Sequence, residues 1–284
     1  MTYKNIYIFL LSISAISLSI FVYFYFSHSS ISEVIISDTI NEFIDQVDRI
    51  KVNNHKKLVV IDIDDTLLQA QGYLGTPTWF YTMVNKLRQK GASKSEAHEI
   101  MSKIDQIVQE QIDIKSIDES IISAIKSWQR KKTLVVGITS RSSEFINITD
   151  KQLQILQLDF DSNLLNCVKN NWPSINQGIL HKGILYVKEG FNKGEIFATF
   201  FDILTNNCKV AIDLIAQADD QERYIKQISL VAENNNKNYV GIIYGKAISQ
   251  RIFALTHANQ ELKELEKKLN LEIIPKKYEM VFNE

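Results

Sequence analysis

The chain has 284 residues, ordinary hydrophobic and charged fractions, and a formal net charge of -1. That length suits one large domain, or one domain with a small insertion. So balanced a charge excludes the basic surface that a nucleic-acid partner needs, and the two cysteines, Cys167 and Cys208, form no metal-ligand pattern.

Residues 6–26 carry no charged side chain, and a run of about 20 apolar residues is what a hydrocarbon core requires. Lys4 precedes this run, and Glu33 and Asp38 follow it. The cationic flank tends to stay in the cytoplasm, so the rest of the chain is expected outside it. The run is long for a cleavable leader, which favours a transmembrane anchor at residues 1–30. Ser27-His28-Ser29 is nevertheless a small-x-small site, and cleavage there would leave a periplasmic or secreted product. Cys167 and Cys208 are then either two core thiols or one disulfide, which geometry decides.

Residues 31–51 place Val34, Ile35, Ile40, Phe43, Ile44, Val47 and Ile50 at gaps that predict a helix with one apolar face. Leu58-Val59-Val60-Ile61 predicts a buried strand running into Asp62 and Asp64. A loop with Gly72, Gly75 and Pro77 leads to a helix from about residue 78. A second helix starts at Ser93, where Ser93 and Glu96 have capping-box spacing. A third helix covers 120–130. Residues 134–138 form another apolar strand, ending at Thr139. Further helices are predicted over 142–158, 194–204, 219–231 and 259–269, and strands over 184–187, 210–212 and 239–243.

This alternation predicts an α/β fold, a Rossmann-like parallel sheet with helices on both faces. Ligands bind beyond the carboxyl ends of such strands. On this reading Asp62, Thr139 and Asp213 share that edge. A carboxylate there can attack phosphorus and form an acyl phosphate. A divalent cation must offset the repulsion between two anions, and magnesium (Mg2+) suits carboxylate and carbonyl oxygens. A second acid must protonate the leaving oxygen.

Val59-Val60-Ile61-Asp62-Ile63-Asp64-Asp65-Thr66-Leu67 resembles motif one of the haloacid dehalogenase (HAD) superfamily. The resemblance implies that Asp62 is the nucleophile and a metal ligand. It implies that Asp64 is the general acid and base, with its backbone carbonyl on the metal, while Asp65 belongs to the turn. Val135 to Thr139 resembles motif two, which assigns Thr139 to a phosphoryl oxygen. Arg141 is either a further phosphate contact or a solvated arginine. Asn192-Lys193-Gly194 is the best match to motif three, with Lys182 and Lys188 as rivals for the lysine. Motif four is matched by Asp213 as a metal ligand, but Leu214 follows it, so the adjacent acid pair is missing. Asp219 and Asp220 lie slightly beyond the usual spacing for a second acid, and Asp219, three residues before Glu222, reads either as a helix cap or as that acid.

The stretch over about 69–115 resembles a small helical cap inserted into a catalytic domain spanning 31–284. Its loop around Tyr73 and Trp79 is expected to touch substrate. That loop, with Gly241-Ile242-Ile243-Tyr244, resembles an exported bacterial HAD-like subgroup, and class B acid phosphatases more distantly. The implied function is a magnesium-dependent phosphomonoester hydrolase acting on a phosphorylated small molecule or phosphoprotein. A catalytically impaired binding or sensor domain is the alternative, and the incomplete fourth motif favours it.

Overall fold

The computed structural model describes residues 31–173, 178–188, 191–249 and 253–283. The expected membrane segment at 6–26 lies outside them. Among the described residues no helix is long and apolar enough to cross a membrane.

The first element corrects the expectation of a helix over 31–51. Ser32–Ser37 is a strand, β1, and the helix α1 covers only Ile40–Arg49. Val34, Ile35 and Ile36 are β-branched, and they gain a partner strand that their helical spacing could not reveal. The chain continues through β2 (Lys57–Asp62), the short β3 (Leu68–Ala70), helices α2 (Pro77–Gln89) and α3 (Lys94–Gln109), and β4 (Ile114–Ser116). Then follow α4 (Glu119–Arg130), β5 (Leu134–Thr139), α5 (Ile146–Ile155), α6 (Asn166–Asn171), β6 (Gly178–His181), β7 (Ile184–Val187) and α7 (Lys193–Asp202). The last are β8 (Leu214–Asp219), α8 (Glu222–Asn234), β9 (Asn238–Tyr244), α9 (Lys246–Ser249), α10 (Leu255–Leu269) and α11 (Glu279–Asn283).

Seven strands form one sheet in the order β1-β9-β8-β2-β5-β7-β6. All pairs are parallel except β6 with β7. That hairpin turns at Lys182 and Gly183, both at positive φ. A Cβ at Gly183 would lie 2.2 Å from the Phe160 carbonyl oxygen, so glycine is required there. The chain leaves β2 towards β5 on one side and returns to β8 on the other. The strand order therefore reverses at β2, and a crevice opens beyond its carboxyl end.

Successive residues of β2 face opposite ways. Val59 and Ile61 pack with Phe43 of α1, Ile125 and Trp128 of α4, and Leu153 of α5. Leu58 and Val60 pack with Phe197 and Phe200 of α7 and Ile228 of α8. Helices thus cover both faces, and β2 is buried along its whole length.

A third apolar cluster is separate from both. Trp79, Met83 and Leu87 of α2 meet Met101 and Ile104 of α3, but also Leu262 of α10 and Phe282 of α11. The cap is therefore built from two distant stretches of chain. Glu261 of α10 fastens them, accepting the backbone N–H of Tyr73 at 2.9 Å and of Leu74 at 2.7 Å. The helix starts follow local rules. Thr76 accepts the Trp79 N–H with Pro77 in the first turn, and Ser93 accepts the Glu96 N–H. Cys167 and Cys208 are joined as a disulfide, which ties α6 to the segment after α7.

Candidate active site

The buried β2 delivers Asp62 to the crevice, and the chain turns at once. Asp65 takes the left-handed conformation with φ 56, as expected of a turn residue, and its N–H meets the Leu68 carbonyl. Thr66 then donates its hydroxyl to Asp62 Oδ2 at 3.2 Å. Lys193 opens α7 and is 1 % exposed. Its Nζ donates to Asp62 Oδ1 at 2.6 Å and to Asp219 Oδ2 at 3.1 Å, and lies 4.0 Å from the centre of the Tyr224 ring. Gly194 lets α7 come this close, since a Cβ there would lie 2.7 Å from the Gln227 carbonyl oxygen. Of the rival lysines, Lys182 pairs with Asp150 and Lys188 is exposed.

The fourth motif requires a correction. The strand expected at 210–212 is β8, running from Leu214 to Asp219, so Asp213 precedes the strand instead of ending it. Lys57 pairs with Leu214, and Ile61 with Ala218. This register sets Asp219 level with Asp62 and leaves Asp213 at the opposite edge. There Asp213 forms a partly exposed ion pair with Lys56 at 3.0 Å. It cannot share a metal with Asp62. The acid pair at the crevice is Asp219-Asp220, which the expectation of a helix from 219 had hidden. Asp219 does bond locally, through Oδ1 to the Gln221 N–H at 3.0 Å, but α8 begins after it.

Asp62, Asp219 and Asp220 each offer an oxygen within 4.8 Å of the others. Burial pushes the Asp62 carboxyl up; Lys193 opposes the rise, while Asp219 and Asp64 add to it. Burial likewise pushes Asp220 up, and Asp62, Asp219 and Asp65 add to that. Burial alone would discharge Lys193, but Asp219 and Asp62 outweigh it and hold the ammonium charged. One buried ammonium thus faces three carboxylates. The surplus negative charge, all on oxygen donors, is what a hard divalent cation relieves. Asp220 faces the cavity together with Asp62, whereas both oxygens of the fully buried Asp219 are engaged.

Asp64 and Thr139 meet Arg141. The guanidinium grips Asp64 with two bonds, Nε to Oδ2 at 2.8 Å and Nη2 to Oδ1 at 2.7 Å. Its Nη1 reaches Thr149 at 2.9 Å and Gln152 at 2.7 Å. Arg141 is therefore not a solvated arginine: it is buried and engaged, and it lines the cavity. The grip leaves each Asp64 oxygen a second lone pair, and it orients the carboxyl group. The Thr139 hydroxyl is buried and accepts the Arg141 N–H at 3.1 Å. Gln152 carries the network into the cap, donating to the Gln109 backbone and side-chain oxygens, and Gln109 holds the Gly75 carbonyl at 2.6 Å.

The cavity above Asp62 is roofed by Phe80 and Tyr81 of α2 and by Ser102 and Asp105 of α3. The expected contacts of Tyr73 and Trp79 are absent from its described lining. Trp79 is fully buried in the cap core, and Tyr73 stacks on His257 of α10. Sequence reasoning set Asp220 aside for its spacing from Asp213, and it gave no role in the site to Tyr224, Gln152 or the Phe80–Tyr81 pair. Only the acids carried a signal, being an adjacent pair directly after residues 214–218, a mostly apolar run broken by Gln217.

Fold and site define an α/β protein with clustered carboxylates and a buried lysine at the carboxyl ends of parallel strands. The chain belongs to the family described as "Protein of unknown function (DUF2608)", matched over residues 37–274, a range that holds every residue of the site. It is 28% identical over 192 residues to a Chlamydia muridarum (strain MoPn / Nigg) protein named "Putative outer membrane protein", covering 68% of this chain and 70% of that protein. A Chlamydia pneumoniae protein with the same descriptive name is 24% identical over 186 residues, covering 66% of this chain and 68% of that one.

Proposed function

We propose that the protein is a HAD-type, magnesium-dependent phosphomonoester hydrolase. The observation that carries this reading is Asp62: a buried carboxylate at a strand end, bonded to Lys193 and crowded by Asp219 and Asp220. An Asp62 oxygen attacks phosphorus, the bond from phosphorus to the leaving oxygen breaks, and that oxygen takes a proton from Asp64. Water then attacks the aspartyl phosphate and gives its proton to Asp64. Phosphate leaves, and Asp62 is restored. Lys193 compensates charge on the phosphoryl oxygens and on Asp62. Asp62 and Asp220, with the Asp64 carbonyl, would hold Mg2+, which supplies the positive charge that lets two anions meet. Asp219 anchors Lys193. The adjacent Asp219 and Asp220 supply the second acid whose lack favoured the binding-domain alternative, and this supports the enzyme reading.

The setting we propose is outside the cytoplasm, either anchored in the cell envelope or released from it. The uncharged run at 6–26, the Cys167–Cys208 disulfide, which persists in oxidising compartments, and the envelope names of the chlamydial relatives support it. Phosphate release from a panel of phosphomonoesters tests the activity. Release is expected only with Mg2+ present, and Asp62→Asn is expected to reduce it to background. An Asp62→Asn protein that keeps most of its activity would sink the covalent mechanism.

A further inference from the structure

The cavity is open to solvent on one side and holds about 150 Å³. Pockets for drug-sized ligands run from roughly 300 to 1,000 Å³, so the part of the leaving group held inside it, next to the ester oxygen, is small. The basic side chains in its described lining are Arg141 and Lys193. Both are engaged, Arg141 in the two-bond grip on Asp64 and Lys193 with Asp62 and Asp219. A second phosphate or a carboxylate on the leaving group would find no other cation among these residues. It would instead face Asp105 in the roof, a carboxylate that also attracts Arg141. Ser102 lies one helical turn before Asp105, on the same face of α3. The Phe80 and Tyr81 rings line the same cavity at 85° with centroids 5.3 Å apart, an aromatic corner against which the His98 ring also packs. Gln109 Nε2 approaches Asp105 Oδ1 at 3.4 Å, yet a carboxylate can accept several bonds at once.

We propose that the substrate is a small phosphorylated amino alcohol, whose positively charged group sits between Asp105 and the Phe80–Tyr81 corner. A carboxylate and π faces both attract an ammonium; a neutral isostere keeps the apolar contact with the rings but loses both attractions, and an anion is repelled by the carboxylate. The inference rests on the phosphatase reading for the position of the phosphoryl end.

Hydrolysis of three esters by the full chain tests it: phosphocholine, its neutral isostere with carbon in place of the quaternary nitrogen, and phosphoglycolate. The kcat/KM for phosphocholine is expected to exceed that for the isostere by about tenfold or more, the equivalent of about 1.4 kcal/mol. Phosphoglycolate is expected to be the poorest of the three. Asp105→Asn, and independently the half-exposed Tyr81→Leu, should each shrink the ratio of cationic to neutral ester. Equal kcat/KM for the charged and neutral esters overturns the proposal. Calorimetric binding of choline and of its carbon isostere separates the two readings. If no ester is cleaved but choline binds more tightly than the isostere, the phosphatase reading falls and the cation site stands. If every ester is cleaved without preference and choline does not bind, the cation site falls alone.

Discussion

The floor and the roof of the cavity are held in opposite ways. The floor is charge: Asp62, Lys193, Asp219 and Asp220, fixed by β2, α7 and β8 in a sheet buried on both faces. The roof is apolar, a cluster around Trp79, Met101 and Leu262 that shares no member with either core of the sheet. Charges that crowd one another need a rigid frame, because each would relax away if its backbone allowed it. Apolar packing is indifferent to direction and can be assembled from distant segments. The roof can thus loosen as a unit while the floor stays intact, and its lining can vary without touching the reacting groups.

The strongest attempt to break this comparison is Trp79→Ala. Emptying a fully buried tryptophan site should cost about 3–5 kcal/mol. The loss is expected in the cap alone. Hydrogen exchange should accelerate in α2, α3 and α10, while β2, β5 and β8 keep their protection. Simultaneous loss in the sheet would mean that floor and roof are one cooperative unit.

The disulfide probes the floor's frame from behind. It closes a loop of 41 residues at the end of α7 away from Lys193. Cys167→Ser with Cys208→Ser should lower stability by about 2–4 kcal/mol. Thermal melts with and without reductant check it, and the double variant should not respond to reductant. If the unaltered protein also melts identically in both conditions, the bond does not support the frame.

Between the two regions runs the chain from Asp64 through Arg141 and Gln152 to Gln109 and Gly75. Gln152→Leu removes the bridge but keeps the volume, and it leaves the buried Gln109 Oε1 without this donor. A cost of about 1–3 kcal/mol follows from the lost partner. Turnover should fall most for esters with poor leaving groups, since those depend on the proton from Asp64. A uniform fall across leaving groups would argue that the bridge is structural only.

The parts legible in the sequence are those whose cause is local. Four β-branched or aliphatic residues before Asp62 make a strand, and two acids two apart make a site, so Asp62, Asp64 and Lys193 could be found by pattern. The second cap helix announced itself through Ser93 and Glu96, whereas Pro77, read as loop, is the first residue of the helix before it. β8 was hidden by Gln217, which interrupts the apolar run. In the fold Gln217 is fully buried and its Oε1 accepts the Tyr239 hydroxyl at 2.7 Å, so the core holds a polar residue in mid-strand. Without that knowledge, Val210-Ala211-Ile212 before Asp213 is the cleaner strand pattern. β1 was hidden because Val34 and Ile36 are exposed on an edge strand, where alternation between a core face and a polar face fails. The share of the C-terminal helices in the cap had no local trace at all, since Glu261 and Tyr73 are 188 residues apart.

The smallest expected effect is also the sharpest test of where the floor ends. Asp213 and Asp220 lie at opposite ends of β8, and only one of them can reach the charge cluster. Asp220→Asn removes a carboxylate that faces the cavity beside Asp62. The Mg2+ midpoint of activity, or of Mg2+-dependent stabilisation in thermal melts, should rise tenfold or more, about 1.4 kcal/mol or above. Without the metal the same change relieves like-charge crowding, so the melting temperature of chelated protein should not fall. Asp213→Ala loses only the partly exposed pair with Lys56, worth about 0–1 kcal/mol, and should leave the Mg2+ midpoint where it was. If Asp213→Ala shifts the midpoint and Asp220→Asn does not, β8 is out of register with β2 and the metal-binding floor has been placed at the wrong end of the strand. If neither shifts it, Asp62 and the Asp219-Asp220 pair do not hold magnesium, and the crowding of buried acids around Lys193 must be relieved by protonation.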